Sequence, residues 1–243
     1  MTVELGSGIF EAAQEMTHEV EPKAVYRRFV EQIETSYLAH HRDLGQGTRA
    51  NVWTDHMEML NGDVCFKTLH TPESAILGLR SEFHMIQRFR DAGVRVPKPI
   101  AYISGQESRQ FPDGLMAMEA IPGGTLNAEF IRRKETSQRY TAEELKFLTD
   151  DISAQIKLAN DAHLHHRDLH SENLMRDAKG NVVMIDFGEA VWTLGEEDDR
   201  SIYTVNKMRG PNVEQTRLRR DIGAVGRILK DIQVHGLMPE VKA

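Results

Sequence analysis

Three side chains between His165 and Ala190 have the types and spacing to act on one small anionic group: Asp168, Asn173 and Asp186. Asp177, Ala178, Lys179, Gly180 and Asn181 form a turn-prone cluster between Asn173-Leu174-Met175 and Val182-Val183-Met184-Ile185, which predicts a hairpin. Such a hairpin brings Asn173, just before its first strand, beside Asp186, just after its second. Two hard oxygen ligands then converge on one point and suit Mg²⁺. Asp168 lies in a loop five residues before Asn173. There a carboxylate can accept a proton from an incoming hydroxyl while the metal neutralises phosphate charge, which is the layout of a phosphoryl-transfer centre.

His166-Arg167-Asp168-Leu169 through Asn173, followed by Asp186-Phe187-Gly188, resembles the catalytic loop and metal-binding motif of the protein kinases, H-R-D-L-x-x-x-N and D-F-G. Both motifs stand in the right order with the hairpin between them. The resemblance implies that Asp168 orients the acceptor hydroxyl, that Asn173 and Asp186 hold Mg²⁺, and that Leu174 lies against ATP. It also implies that Arg167 supports the active state and that His166 packs on Phe187. Asp221-Ile222-Gly223-Ala224-Val225-Gly226 resembles the start of the kinase helix whose aspartate buttresses the catalytic loop.

These groups need elements to position them. Gly45-Gln46-Gly47-Thr48-Arg49-Ala50-Asn51-Val52 resembles the kinase Gly-rich loop, with Ala50 in place of the third glycine. Two glycines let the backbone close over phosphates and aim N–H groups at them, so Gly45, Gly47 and Val52 join the implied ATP contacts. Asn61-Gly62 predicts a hairpin turn leading into the alternating strand Val64-Cys65-Phe66-Lys67. Lys67 resembles the kinase strand lysine that holds the α and β phosphates. Thr71-Pro72-Glu73 predicts a helix start and Ala92-Gly93 its stop. On that helix Glu82, 15 residues after Lys67, has the position of the kinase acidic partner, with Glu73 as the fallback. Leu115-Met116-Ala117-Met118-Glu119-Ala120-Ile121 reads as a short apolar strand closed by Pro122-Gly123-Gly124. The resemblance makes it the hinge, with backbone groups of Glu119 and Ile121 on the adenine edge and Met118 at the back of the pocket.

Other segments read as supports. Val25, Phe29, Ile33 and Tyr37 recur every four positions after Pro22 and predict an amphipathic helix packed on the elements C-terminal to it. Thr141 and Glu144 form a capping box, and Leu145, Leu148, Ile152, Ile156 and Ala159 mark one face of a long helix leading to the catalytic loop. His163, His165, His166 and His170 invite a zinc reading, but the catalytic-loop match already accounts for His166. His170 occupies a position where serine/threonine kinases usually have lysine, and it is closer to the D-x-H-x-x-N of small-molecule phosphotransferases. The run from Asp91 to Ile100 resembles the corresponding segment of RIO-type atypical kinases and some small-molecule kinases more than that of typical eukaryotic ones. Between Gly188 and Arg220 the polar segment holds Thr193, Ser201, Tyr203 and Thr204, candidates for regulatory phosphorylation facing Arg167, and no A-P-E motif.

The chain has 243 residues, 40% of them hydrophobic, enough for one domain or two small lobes. A formal charge of −7 argues against a general field for nucleic acid or anionic membranes. The single cysteine, Cys65, excludes an internal disulfide framework. The N-terminus lacks a basic region followed by an apolar one, so a cytoplasmic location is expected. The expected fold is α+β and two-lobed: an N-terminal extension over 1–40, a β-rich lobe over 41–121, and a shortened helical lobe over 122–243. The expected activity is that of an ATP- and Mg²⁺-dependent serine/threonine protein kinase of RIO-like compactness, acting on a protein hydroxyl. A small-molecule phosphotransferase of the aminoglycoside- or choline-kinase type, a RIO-like ATPase, and a nucleotide-binding pseudokinase are the alternatives.

Overall fold

The computed structural model describes residues 3–5, 22–40, 45–46, 50–69, 78–104, 111, 114–193, 221 and 223–239. The chain divides into two compact units, one of residues 1–84 and 98–120, the other of residues 85–97 and 121–243. Residues 1–40 thus fall within the first unit and residues 85–97 within the second, while the later division comes between Ala120 and Ile121.

The first unit is built on one six-stranded antiparallel sheet. Its strands are β1 (Val3–Leu5), β2 (Gly45–Gln46), β3 (Ala50–Met57), β4 (Gly62–Leu69), β5 (Pro99–Ile103) and β6 (Leu115–Glu119), in the order β1-β5-β6-β4-β3-β2. Helix α1 (Pro22–His40) packs on one face. Phe29 and Ile33, one helical turn apart, are buried with Trp53, Val64, Phe66, Ala101, Ile103, Leu115 and Ala117. Trp53 carries the junction: its ring lies 5.4 Å from that of Tyr37, and its indole N–H donates to Ser36 Oγ at 3.2 Å.

Strand alternation then decides which side chains occupy the opposite face. Val64 and Phe66 point to α1, so Cys65 and Lys67 point away from it. Directly paired residues share a face, and the register pairs Val52 with Lys67, Lys67 with Met116, and Cys65 with Met118. Gly45, Val52, Lys67 and Met116 therefore form a row across four strands, with Met118 beside it. The turn joining β3 to β4 departs from a two-residue hairpin on Asn61-Gly62. A 3-10 turn over Glu58–Leu60 precedes Asn61, which takes a left-handed φ of 45° and donates its N–H to the Glu58 carbonyl. Asparagine tolerates that conformation better than most residues, which is why the signal is present although the loop is longer.

In the chain order α2 (Gly78–Asp91) comes after β4, with the division between units inside it. Gly93, at φ 81°, ends it, and the Val94 N–H reaches back to the Phe89 carbonyl. The expected start of this helix at Thr71, and the fallback Glu73, lie outside the described residues.

The second unit is mostly helical, with α3 (Leu126–Glu135), α4 (Ala142–Asp161) and α5 (Ala224–Val234). Two small sheets pair β7 (Leu164–His165) with β10 (Val191–Trp192) and β8 (Leu174–Arg176) with β9 (Val182–Met184). The capping box at Thr141 forms with both hydrogen bonds. Leu148, Ile152, Ile156 and Ala159 are buried along α4, joined by Gln155, while Leu145 is half-buried. Gln155 accepts from the Arg95 N–H, and Asp151 accepts from both the Arg95 guanidinium and the Val182 N–H, so polar groups of α4 tie the segment around Arg95 to β9.

Candidate functional site

In the first unit Lys67 Nζ donates to both carboxylate oxygens of Glu82, at 2.8 and 2.9 Å. Their side chains are only 10% and 4% exposed. Burying two charges is tolerated because each cancels the other at contact. Two residues along the same face of β4, burial pushes the Cys65 thiol up to about 11 despite the neighbouring Lys67 ammonium, which keeps it protonated. Glu119 ends β6: its N–H donates to the Lys98 carbonyl, and the next N–H, of Ala120, to the Asp63 carbonyl. Neither bond uses the Ile121 N–H. Gly45 lies in β2 as described backbone, whereas Gly47 lies outside the described residues.

In the second unit the hairpin fixes the remaining groups. Asp177 closes it, its carboxylate accepting from the Lys179 and Asn181 N–H groups at 2.8 Å each, and Gly180 supplies the φ of 83° that the turn requires. The Ile185 N–H then donates to the Asn173 carbonyl at 3.0 Å, placing Asp186, the next residue, beside the start of the hairpin. Asp186 has φ 61° and Arg167 φ 71°, left-handed values that cost non-glycine residues free energy and persist only where the surroundings hold them.

The surroundings are plain at the loop. Asp221 accepts the His166 and Arg167 N–H groups on its two carboxylate oxygens, at 2.8 and 2.9 Å. Burial lowers the His166 pKa, outweighing the nearby Asp221 charge, so the ring is neutral. Its Nε2 can then donate to the Ile185 carbonyl at 2.8 Å, and its face meets Phe187 at 4.8 Å between ring centres. Phe89 of α2 closes the group 4.7 Å from Phe187. Asn173 Nδ2 donates to the Asp168 carbonyl at 2.8 Å, which leaves Oδ1 as the free acceptor of its amide. Asn173 and Asp186 thus offer oxygen donors on adjacent strand ends, a donor set that fits Mg²⁺. Asp168 itself is 48% exposed between the buried Arg167 and Leu169, so the loop presents its carboxylate to the outside. Leu174, the first residue of β8, is fully buried.

The four histidines part company. His166 is core, His165 is half-buried in β7, His163 takes a left-handed turn, and His170 Nε2 lies 3.1 Å from Asn173 Nδ2 and 3.6 Å from Asp168 Oδ2. Ser201, Tyr203, Thr204 and the acidic run before them lie outside the described residues. Sequence reasoning missed the contacts of Ser171, Arg227 and Asp231, which pack the loop against α5 and leave no local pattern because they are nearly 60 positions apart. It also missed Glu129, whose buried carboxylate accepts from Arg133, Arg176 and Tyr140 at 3.0, 2.8 and 2.8 Å.

A β-sheet unit with a buried lysine–glutamate pair, followed by a helical unit with this loop and hairpin, defines the α+β class of two-lobed kinase folds. The family model described as "Protein kinase domain" matches residues 38–213, and the chain belongs to that family. Over 201 residues it is 24% identical to the probable serine/threonine-protein kinase mkcE of Dictyostelium discoideum, covering 81% of this chain and 26% of that protein. Over 152 residues it is 24% identical to a serine/threonine-protein kinase of Arabidopsis thaliana, covering 62% of the chain and 29% of the relative. Over 115 residues it is 27% identical to the 3-deoxy-D-manno-octulosonic acid kinase of Vibrio cholerae serotype O1, covering 47% and 45%. The chain therefore spans less than half the length of each of these relatives.

Proposed function

We propose that the protein is an ATP- and Mg²⁺-dependent phosphotransferase, most simply a serine/threonine protein kinase, carrying the γ-phosphoryl group of ATP to a hydroxyl. The observation that carries this reading is the exposed Asp168 carboxylate on a loop whose buried groups are committed to holding it. Asp168 accepts a hydrogen bond from the acceptor hydroxyl, orients its lone pair toward the γ-phosphorus, and takes up its proton as the new O–P bond forms and the bond from the γ-phosphorus to the bridging oxygen breaks, releasing ADP. Asn173 and Asp186 would hold Mg²⁺, which would supply neutralisation of phosphate charge. Lys67, held by Glu82, binds the α and β phosphates. We assign the segment from Gly45 to Val52 to covering them, Met118 to the back of the adenine pocket, Leu174 to an ATP contact, and backbone groups of Glu119 and Ile121 to the adenine edge. Arg167 supports the active loop.

Phosphoryl transfer asks the protein for position and charge neutralisation more than for covalent chemistry, so a pre-set loop is the main requirement. Among the described residues no helix is long and apolar enough to cross a membrane. We assign the enzyme to the cytoplasm, where ATP is supplied and a chain with a single cysteine suits the reducing conditions.

A small hydroxylated molecule as acceptor is the second reading. It is favoured by His170, which stands beside Asp168 where protein kinases usually carry lysine, and by the likeness to the 3-deoxy-D-manno-octulosonic acid kinases. Incubation with γ-labelled ATP and Mg²⁺, alone and with cell lysate, distinguishes the two when labelled protein and labelled small molecules are counted separately. Nucleotide binding with no label transferred or released would overturn both in favour of a pseudokinase.

A further inference from the structure

The loop from His166 to Asn173 is held from beneath at several points. Asp221 takes the N–H groups of His166 and Arg167. Arg227 Nη2 donates to the Leu169 carbonyl at 3.0 Å, and Asp231 Oδ2 accepts from the Ser171 hydroxyl at 3.0 Å. Arg227 and Asp231 are four apart on α5, so they stand on one side of that helix, beside the buried stripe Ala224, Ile228 and Ile232 that anchors it. Ser171 is itself buried, and its carbonyl accepts the Asn127 N–H of α3 at 3.0 Å, so the residue is fixed at both its side chain and its backbone. Asp168 and His170 are left projecting ahead of it, 48% and 36% exposed, with the exposed Glu172 after it.

We propose that Asp231 and Arg227 are positioning residues for phosphoryl transfer: the Asp231–Ser171 hydrogen bond and the Arg227–Leu169 hydrogen bond hold the loop on either side of His170, and through it set the direction of the Asp168 carboxylate. The proposal rests on the functional reading above and extends it past Asp221. Asp231 contributes most, because its carboxylate receives the hydroxyl of Ser171, a buried residue whose donor would lose its partner. Arg227 contributes less, since its guanidinium bonds a carbonyl from an exposed position. Neither residue contacts the nucleotide in this scheme. Their loss moves the stretch from Asp168 to Ser171 without removing any group assigned to the phosphates or the adenine.

The test uses the full chain with the substitutions Asp231→Ala, Ser171→Ala, the double change, and Asp231→Asn, which keeps an acceptor oxygen for Ser171. Two readouts are taken: kcat and KM for ATP with an acceptor found for the wild type, and amide hydrogen exchange of the 166–173 peptide in the ligand-free protein. Both single alanine variants are expected to lose kcat on the order of tenfold to a hundredfold, as a loop displaced by a fraction of an ångström would, with KM for ATP unchanged. The double variant is expected to lose no more than the worse single one, and Asp231→Asn to recover most of the rate. Loop exchange is expected to quicken in both alanine variants and not in Asp231→Asn. Unchanged exchange, additive losses, or parallel changes in kcat and KM overturn the positioning role. If the wild type transfers no label, the functional reading fails instead, and the exchange arm alone still decides whether Asp231 orders the loop.

Discussion

The buried pair Lys67–Glu82 allows stability and catalysis to be separated by one set of substitutions. Lys67→Met leaves the Glu82 carboxylate, 4% exposed, without its cation, and Glu82→Leu strands the ammonium, 10% exposed. Removing one member of a buried, doubly hydrogen-bonded pair costs about 3–5 kcal/mol, because the remaining charge must be neutralised or hydrated inside the fold. In a protein of this size that corresponds to a fall in Tm of roughly 6–20 °C. The double variant Lys67→Met/Glu82→Leu leaves no charge behind, and it packs against Cys65, Met116 and Met118 on the same face of the sheet. Its stability is expected to return to within about 1–2 kcal/mol of the wild type, since apolar replacements of buried pairs are commonly neutral. Phosphoryl transfer is expected to stay lost in all three, because the ammonium we propose for phosphate binding is gone from two and unsupported in the third. Urea denaturation monitored by fluorescence, with ATP turnover on the same samples, measures both quantities. A double variant destabilised by the sum of the single losses would refute the coupling, and one with wild-type turnover would refute the assignment of Lys67 to the phosphates.

Three further outcomes are expected from the site and its supports. Asp168→Asn is expected to abolish transfer while titration calorimetry still shows near wild-type ATP affinity, whereas Asp186→Asn weakens Mg²⁺-dependent nucleotide binding and turnover together; equal binding losses in the two would contradict the division of roles. Gly123→Ala places a Cβ 2.1 Å from the Arg176 carbonyl oxygen, so the linker after Ile121 must shift against β8, and a several-fold rise in KM for ATP with loss of stability is expected from steady-state kinetics and thermal melting. Burial alone would raise the Glu129 pKa, but hydrogen bonds from Arg176, Tyr140 and Arg133 outweigh it and hold the carboxyl below its usual range. A depressed folded-state pKa gives stability that is present above the usual carboxylate range and is lost as pH falls through the folded value, so urea stability is expected to fall below about pH 5, and less steeply in Glu129→Gln; identical pH profiles would count against it.

Local chemistry made much of this protein readable from its sequence. The hairpin between Asn173 and Asp186 was legible because Asp177, Gly180 and Asn181 encode their own turn through hydrogen bonds spanning at most four residues. The capping box at Thr141 and the left-handed stop at Gly93 were legible for the same reason. Period-four spacing revealed that α1 buries one face, and alternation along Val64 to Lys67 showed that Lys67 points the other way. Sequence could not decide which partners those faces meet. That Ser36 of α1 serves Trp53, that Asp231 receives Ser171, and that Glu129 gathers Tyr140 and Arg176 depends on residues brought together across 11 to 60 positions. Such pairings leave no periodic trace, because long-range polar contacts are chosen by which buried groups need a partner once the apolar faces have packed. Tertiary structure likewise set the left-handed backbone at Arg167, which no propensity favours, and Asp221 holds it there from 54 residues away.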